Sequence, residues 1–402
     1  MTKPDVRKSQ NLITKNRRKW LVIIGALIPM MVLYGLTLGR YPIPFADSLE
    51  LMTAGKIASL AHPPGYALQT IILYGLIWNL DGEMVALAAN IFSAFLQILT
   101  LSISGLIIGN LGKLSGLEGK KQMIAIVLTI WTIGLGRYFW FSAGVFEVFS
   151  LNNLLIVSLI YIGIKILETG TWKYFSFFWG LMAGFALGHQ QISLLVSLPL
   201  FALMSIEMFK RGEKRGIGRL CFGLILGLIT TALATYLIGV KGNENWVSWR
   251  MSPNWQGVLS IMTRADYTGV LVELGSESHA YLKRFDLGES VEGFVIYWEL
   301  LVNNYGLAGI TLIIVSGYAV WRQKGNKWGK LLFGLWIISG LGLAVYLPIV
   351  RRPEISYKIE GILIERLYSQ GYVLAGLLIG VGVVALLKIL GRNEAKILVC
   401  LL

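Results

Sequence analysis

WLVIIGALIPMMVLYGLTL, Trp20 to Leu38, is a 19-residue stretch without a charged side chain. As a helix rising about 1.5 Å per residue it reaches about 28 Å, the depth of a bilayer's hydrocarbon layer. The residues before it, 1–19, carry seven Lys or Arg, and no small-residue cleavage site follows. That pattern predicts a cytoplasmic basic tail leading into a retained signal anchor. The stretch makes the chain an integral membrane protein, and the rest of the sequence is read outward from it.

Composition agrees. Hydrophobic residues make up 55% of the chain and charged residues 14%, with a mean hydropathy of +0.66. A net charge of +14 would point a soluble protein toward nucleic acid. Here the cations sit in loops between apolar runs, so the expected partner is the lipid bilayer and no nucleic acid is expected. The two cysteines, Cys221 and Cys400, fall in or beside apolar runs, which implies neither a disulfide framework nor a metal cluster.

Further apolar runs cover 84–109, 122–138, 146–166, 174–188, 190–208, 219–240, 295–321, 331–350 and 371–390. Together they predict an all-α polytopic bundle of about ten transmembrane helices, one membrane domain over 20–390. Outer loops are expected at 39–83 and 241–294 and a short cytoplasmic tail at 391–402. Residues 67–80, ALQTIILYGLIWNL, are too few to cross and predict an interfacial or re-entrant helix. With that choice about two-thirds of the Lys and Arg fall on the side of the N-terminus, as the positive-inside rule requires.

The first outer loop, FADSLELMTAGKIASLAHPPGY (45–66), is dense in groups that can do chemistry. Asp47 and Glu50 are three apart and share a face if Ala46–Leu60 is helical. Leu49, Met52, Thr53, Ile57 and Leu60 fall on the other side, the pattern of a helix lying on a membrane surface. His62-Pro63-Pro64-Gly65 ends that helix, because proline forbids it and glycine permits a tight turn. Asp47 reads either as a helix N-cap or as a working carboxylate, and His62 as a turn residue or a ligand.

The stretch DSLEL…HPPGY resembles the D-S-x-E…HPPGYP first-loop signature of a membrane family within the GT-C glycosyltransferases. That family includes the eukaryotic endoplasmic-reticulum O-mannosyltransferase of plexin-type receptors. FWFSAGVFEVFSLN (139–152), GFALGHQQISLL (184–195) and WQGVLSIMTRADYTG (255–269) fit it in order. Ala67 stands where the family usually has proline, and His189-Gln190 where an Asn-His pair is more usual. The resemblance implies a transferase using a polyprenyl-phosphate sugar, most often mannose, with an exported protein or a surface glycan as acceptor. The topology expected above puts these stretches at or near the outer face, so the active site is expected on the extracytoplasmic face of the cell membrane.

It also marks Asp47 as the catalytic base, with Glu50 as a second acid. His62 could hydrogen-bond a phosphate or sugar from a stiff corner. Glu147, at the start of an apolar run, faces a cavity or pairs with Arg137. His189, Gln190 and Gln191 interrupt 174–208, as a cavity lining or as an interhelical turn. In TRADY, Arg264 could grip a leaving phosphate, with Asp266 and Tyr267 beside it, or simply pair with Asp266. Arg351-Arg352 offer an alternative clamp or an interfacial anchor. A divalent metal on Asp47 and Glu50 is conceivable, but two carboxylates do not establish one. The competing classes are a transporter or lipid flippase, whose signature would be an internal repeat with paired broken helices, and a non-catalytic assembly subunit.

Overall fold

The computed structural model describes residues 3–41, 47–170, 172–245, 248–264, 287–322, 327–344 and 365–390. All regular elements among them are helical. The first half runs α1 (Lys3–Thr37), α2 (Ser48–Ile57), α3 (Ala67–Ile77), α4 (Glu83–Leu114), α5 (Gly119–Gly134), α6 (Arg137–Gly144) and α7 (Val148–Thr169). There follow α8 (Trp172–His189), α9 (Leu194–Lys210), α10 (Lys214–Gly242), α11 (Trp255–Thr263), α12 (Leu287–Arg322), α13 (Lys327–Trp336) and α14 (Ser369–Ile389).

Seven of these helices are long and apolar enough to cross a membrane, or eight if α5 and α6, bent by 67° at their junction, form one span. The ten runs expected from sequence also included α8 and 331–350, the latter described only as far as residue 344. Ala67–Ile77 is 11 residues, about 16 Å of helix and too short to cross. The break at Gln190 is real: α8 stops at His189, Gln190 is extended, and Gln191–Ser193 makes a 3₁₀ turn into α9.

Two features fix the bundle. α8 and α10 touch backbone to backbone along Gly180, Gly184, Gly223 and Gly227; a Cβ on Gly184 would lie 2.4 Å from the Leu224 carbonyl oxygen. Small residues at such a crossing replace the hydrophobic drive that lipid does not supply. α14 runs through the centre, with residues such as Val373, Leu374 and Leu377 fully buried, and therefore presents its first turn to the middle of one end of the bundle.

The first outer loop is docked as a unit. Leu51, Met52, Ala61, Tyr66, Leu73 and Ile77 of α2, α3 and their connection pack with Ala86 and Ala89 of α4 and with Phe146, Val148 and Phe149. Lys56 Nζ donates to the carbonyls of Ile77, Trp78 and Leu80, a cation on the carbonyl end of α3. Of the stripe expected to lie on the membrane surface, Leu49 is exposed, while Met52 and Leu60 are buried against protein.

Candidate active site

Asp47 occupies the N-cap position of α2, but its side chain makes no capping hydrogen bond. Its Oδ2 instead accepts from Arg366 Nη1 at 2.6 Å, across 319 residues of sequence. That observation removes the capping explanation for this carboxylate. Three residues on, Glu50 turns the same way and receives His62 twice: the backbone N–H at 2.6 Å and Nδ1 at 2.7 Å. Burial alone would raise the Glu50 carboxyl, but these hydrogen bonds and the imidazole's charge outweigh it and hold Glu50 below its ordinary value.

With Nδ1 directed at Glu50, His62 turns Nε2 toward Asp47 Oδ2 at 3.6 Å and the Tyr66 hydroxyl at 3.4 Å. The His-Pro-Pro-Gly corner makes this possible. Gly65 has φ +85°, and a Cβ there would meet Leu60 and Ile261 at 3.0 and 3.1 Å.

Glu147 comes from the α6–α7 connection, just before the span, and is 1% exposed. Its Oε1 accepts the Asp47 backbone N–H at 3.3 Å and lies 3.9 Å from Arg366 Nη1. Burial pushes its pKa up to about 8, with the Arg366 charge opposing and the Asp47 charge adding. The cation beside Glu147 is thus Arg366 and not Arg137. Arg137 instead holds down the burial-raised carboxyl of Glu365.

A second group adjoins the first through rings. Tyr66 stands edge-on to His62 and to His189, at centroid distances of 5.3 and 5.7 Å. His189 is fully buried, and its Nε2 lies 3.0 Å from the Val148 carbonyl. On the following residue, Gln190 Oε1 accepts from Arg264 Nη2 at 3.2 Å, and Gln191 donates to the Met262 carbonyl at 2.7 Å. The polar break between α8 and α9 is therefore the seat of α11, which places Arg264 against it. Asp266, Tyr267, Arg351 and Arg352 lie outside the described residues.

Several buried polar atoms here have no hydrogen-bond partner: Ser48 Oγ, Glu147 Oε2, His189 Nδ1, Arg264 Nε and Arg366 Nε. Buried groups are normally satisfied, so each of these atoms is open to an oxygen of a ligand or of water. Ligand atoms of Asp47, Glu50 and His62 also lie within 4.8 Å of one another, a donor set that could take a divalent ion. In the arrangement described, Glu50 is engaged by His62 and Asp47 by Arg366.

Sequence reasoning missed Arg366 and Tyr66. Arg366 lies just before the last apolar run, 371–390, beside Glu365, and nothing along the sequence pairs it with Asp47.

The fold and site define a polytopic helical membrane protein with a carboxylate, imidazole and guanidinium cluster at one end of its bundle. Residues 47–214 match the family model described as Protein O-mannosyl-transferase TMEM260 N-terminal domain, a segment beginning at Asp47 itself. The Dictyostelium discoideum Protein O-mannosyl-transferase tmem260 is 23% identical over 410 residues, covering 92% of this chain and 45% of that protein. The Mus musculus Protein O-mannosyl-transferase TMEM260 is 23% identical over 375 residues, covering 91% and 50%. The first-loop resemblance and these comparisons point to the same O-mannosyltransferase family. The chain spans about half the length of the curated relatives it matches. No solved structure matches it.

Proposed function

We propose that the protein is a membrane glycosyltransferase that moves a sugar, mannose by likeness to its relatives, from a polyprenyl-phosphate donor to a hydroxyl of an exported protein. A surface glycan is the alternative acceptor. The observation that carries this reading is the convergence of Asp47, Glu50, His62, Glu147 and Arg366 from three distant parts of the sequence. Asp47 takes the proton of the acceptor hydroxyl as its oxygen attacks the anomeric carbon. The bond from that carbon to the phosphate oxygen breaks, its electron pair stays on the phosphate, and the configuration inverts. Glu50, tied to His62, keeps the corner in register and orients a sugar or acceptor hydroxyl. Arg264 and Arg366 supply the positive charge that the departing phosphate needs.

The site belongs to the extracytoplasmic face of the cell membrane on this reading, because the topology expected from the sequence puts most of the cations at the other end. The test is turnover of a panel of radiolabelled polyprenyl-phosphate sugars by purified protein in the presence of membrane extract. Label appearing in acceptor is the expected result. No turnover across the panel by cooperatively unfolding protein would overturn the proposal. The bent α5–α6 pair and the non-helical Gly306 inside α12 are features a lipid translocator also uses. Movement of donor across vesicles without transfer would favour that second reading.

A further inference from the structure

Arg366 holds Asp47 in a way that conflicts with the work assigned to it. The 2.6 Å bond sets the guanidinium on Oδ2 and occupies a lone pair that the acceptor's proton would need. The guanidinium is at the same time under-used. It has five N–H donors; Nη1 serves Asp47, while Nε is buried with no partner. Glu147 Oε1, at 3.9 Å, is beyond hydrogen-bond reach. A buried guanidinium N–H without an acceptor calls for an oxygen ligand, and the side chain remains 19% exposed, so one can reach it.

We propose that Arg366 is a latch on Asp47 that the donor opens: phosphate oxygens of the polyprenyl-phosphate sugar draw the guanidinium off Asp47, which frees the carboxylate to accept the acceptor's proton. The inference rests on the transferase reading and adds an order of events to it. Donor binds first, and the base comes into being only when there is a sugar to transfer. No covalent bond changes in the latch step; a guanidinium exchanges one oxyanion for another of matching fork geometry. Acceptor arriving first meets a carboxylate still spoken for by Arg366.

The latch predicts coupling between two residues in the binding of a ligand that undergoes no chemistry. Short-chain polyprenyl phosphate is titrated into the purified full chain in detergent, with wild type, Asp47→Asn, Arg366→Gln and the double variant compared. Arg366→Gln should weaken binding about tenfold, the scale of one charged hydrogen bond. Asp47→Asn should tighten it about tenfold, since Arg366 no longer has to leave a carboxylate. In the Arg366→Gln background the Asp47→Asn change should alter the affinity by no more than about twofold. Equal tightening in both backgrounds would mean simple repulsion between Asp47 and phosphate and would overturn the latch. So would weakening by Asp47→Asn alone. Should the glutamine variant not fold, the cycle is run with Arg366→Lys, which keeps the charge without the fork; a smaller coupling supports the latch and no coupling overturns it. Wild type that binds no polyprenyl phosphate, while unfolding cooperatively, overturns the donor reading and the latch together. Binding with additive effects overturns the latch alone.

Discussion

Replacing Glu147 by glutamine tests the electrostatics of the site without touching its shape. Glu147 is 1% exposed, its Oε1 holds the Asp47 backbone N–H, and its Oε2 is buried without a partner. Burial raises its pKa from an ordinary 4.5 to about 8, with Arg366 opposing and Asp47 reinforcing. Between those values the folded protein holds a proton that the unfolded chain has lost, so stability falls as pH rises. The slope for one proton is about 1.4 kcal/mol per pH unit, a total on the order of 4 kcal/mol by pH 8. This contribution is fully present below the unfolded pKa and gone above the folded one. The glutamine amide matches the neutral carboxyl in size and keeps an acceptor for Asp47, but has nothing to titrate. Thermal unfolding of wild type and Glu147→Gln from pH 5 to pH 8.5 checks it. The two should nearly coincide at pH 5, with the variant increasingly the more stable toward pH 8. Parallel curves would refute a protonated Glu147 and the argument from burial behind it.

Two further outcomes concern the frame that carries the site. Gly184→Leu should lower the unfolding midpoint by several degrees and cost about 1–3 kcal/mol or more, because its side chain meets α10 backbone. Gly75→Ala in α3, with nothing within 4 Å of an added Cβ, should instead hold or slightly raise it, and the same thermal scan reads both. Cysteines placed at the exposed Glu83 and Lys120, which flank α4, should react with an impermeant thiol reagent from opposite sides of the membrane. Labelling of both from one side would mean that α4 does not cross.

Much of the site could be read from the chain, for a reason visible in its residues. Asp47, Glu50 and His62 lie within 16 positions, so local helix geometry and a proline corner suffice to bring them together. Glu147 announced itself as an ionisable group at the start of an apolar run, and the Gln190–Gln191 break as polar residues where a helix should continue. Arg366 could not be placed the same way. Its bond to Asp47 depends on α14 being the central helix, and hydropathy along one helix does not say which neighbours surround it. The same limit applies to Arg137, which sequence proximity offered as the partner of Glu147, and which the bundle sets by Glu365 instead. The face of α2 was misjudged in part for a related reason. An apolar stripe next to a membrane packs as readily on neighbouring helices as on lipid: Met52 is buried with α3 and α4, and Leu60, beyond the end of α2, with Ala234 and Ile238 of α10 and Val258 and Ile261 of α11.

The most direct measurement is single-turnover sugar transfer from a polyprenyl-phosphate donor by purified wild type and Asp47→Asn, with donor affinity measured on the same samples. A general base contributes about 10²- to 10⁴-fold, and the asparagine variant keeps the shape of the site while losing the proton acceptor. Transfer by Asp47→Asn should fall by at least about a hundredfold, with donor bound as tightly as in wild type or more so. An asparagine variant that transfers sugar at close to the wild-type rate would place the base elsewhere and contradict an active site organised on Asp47.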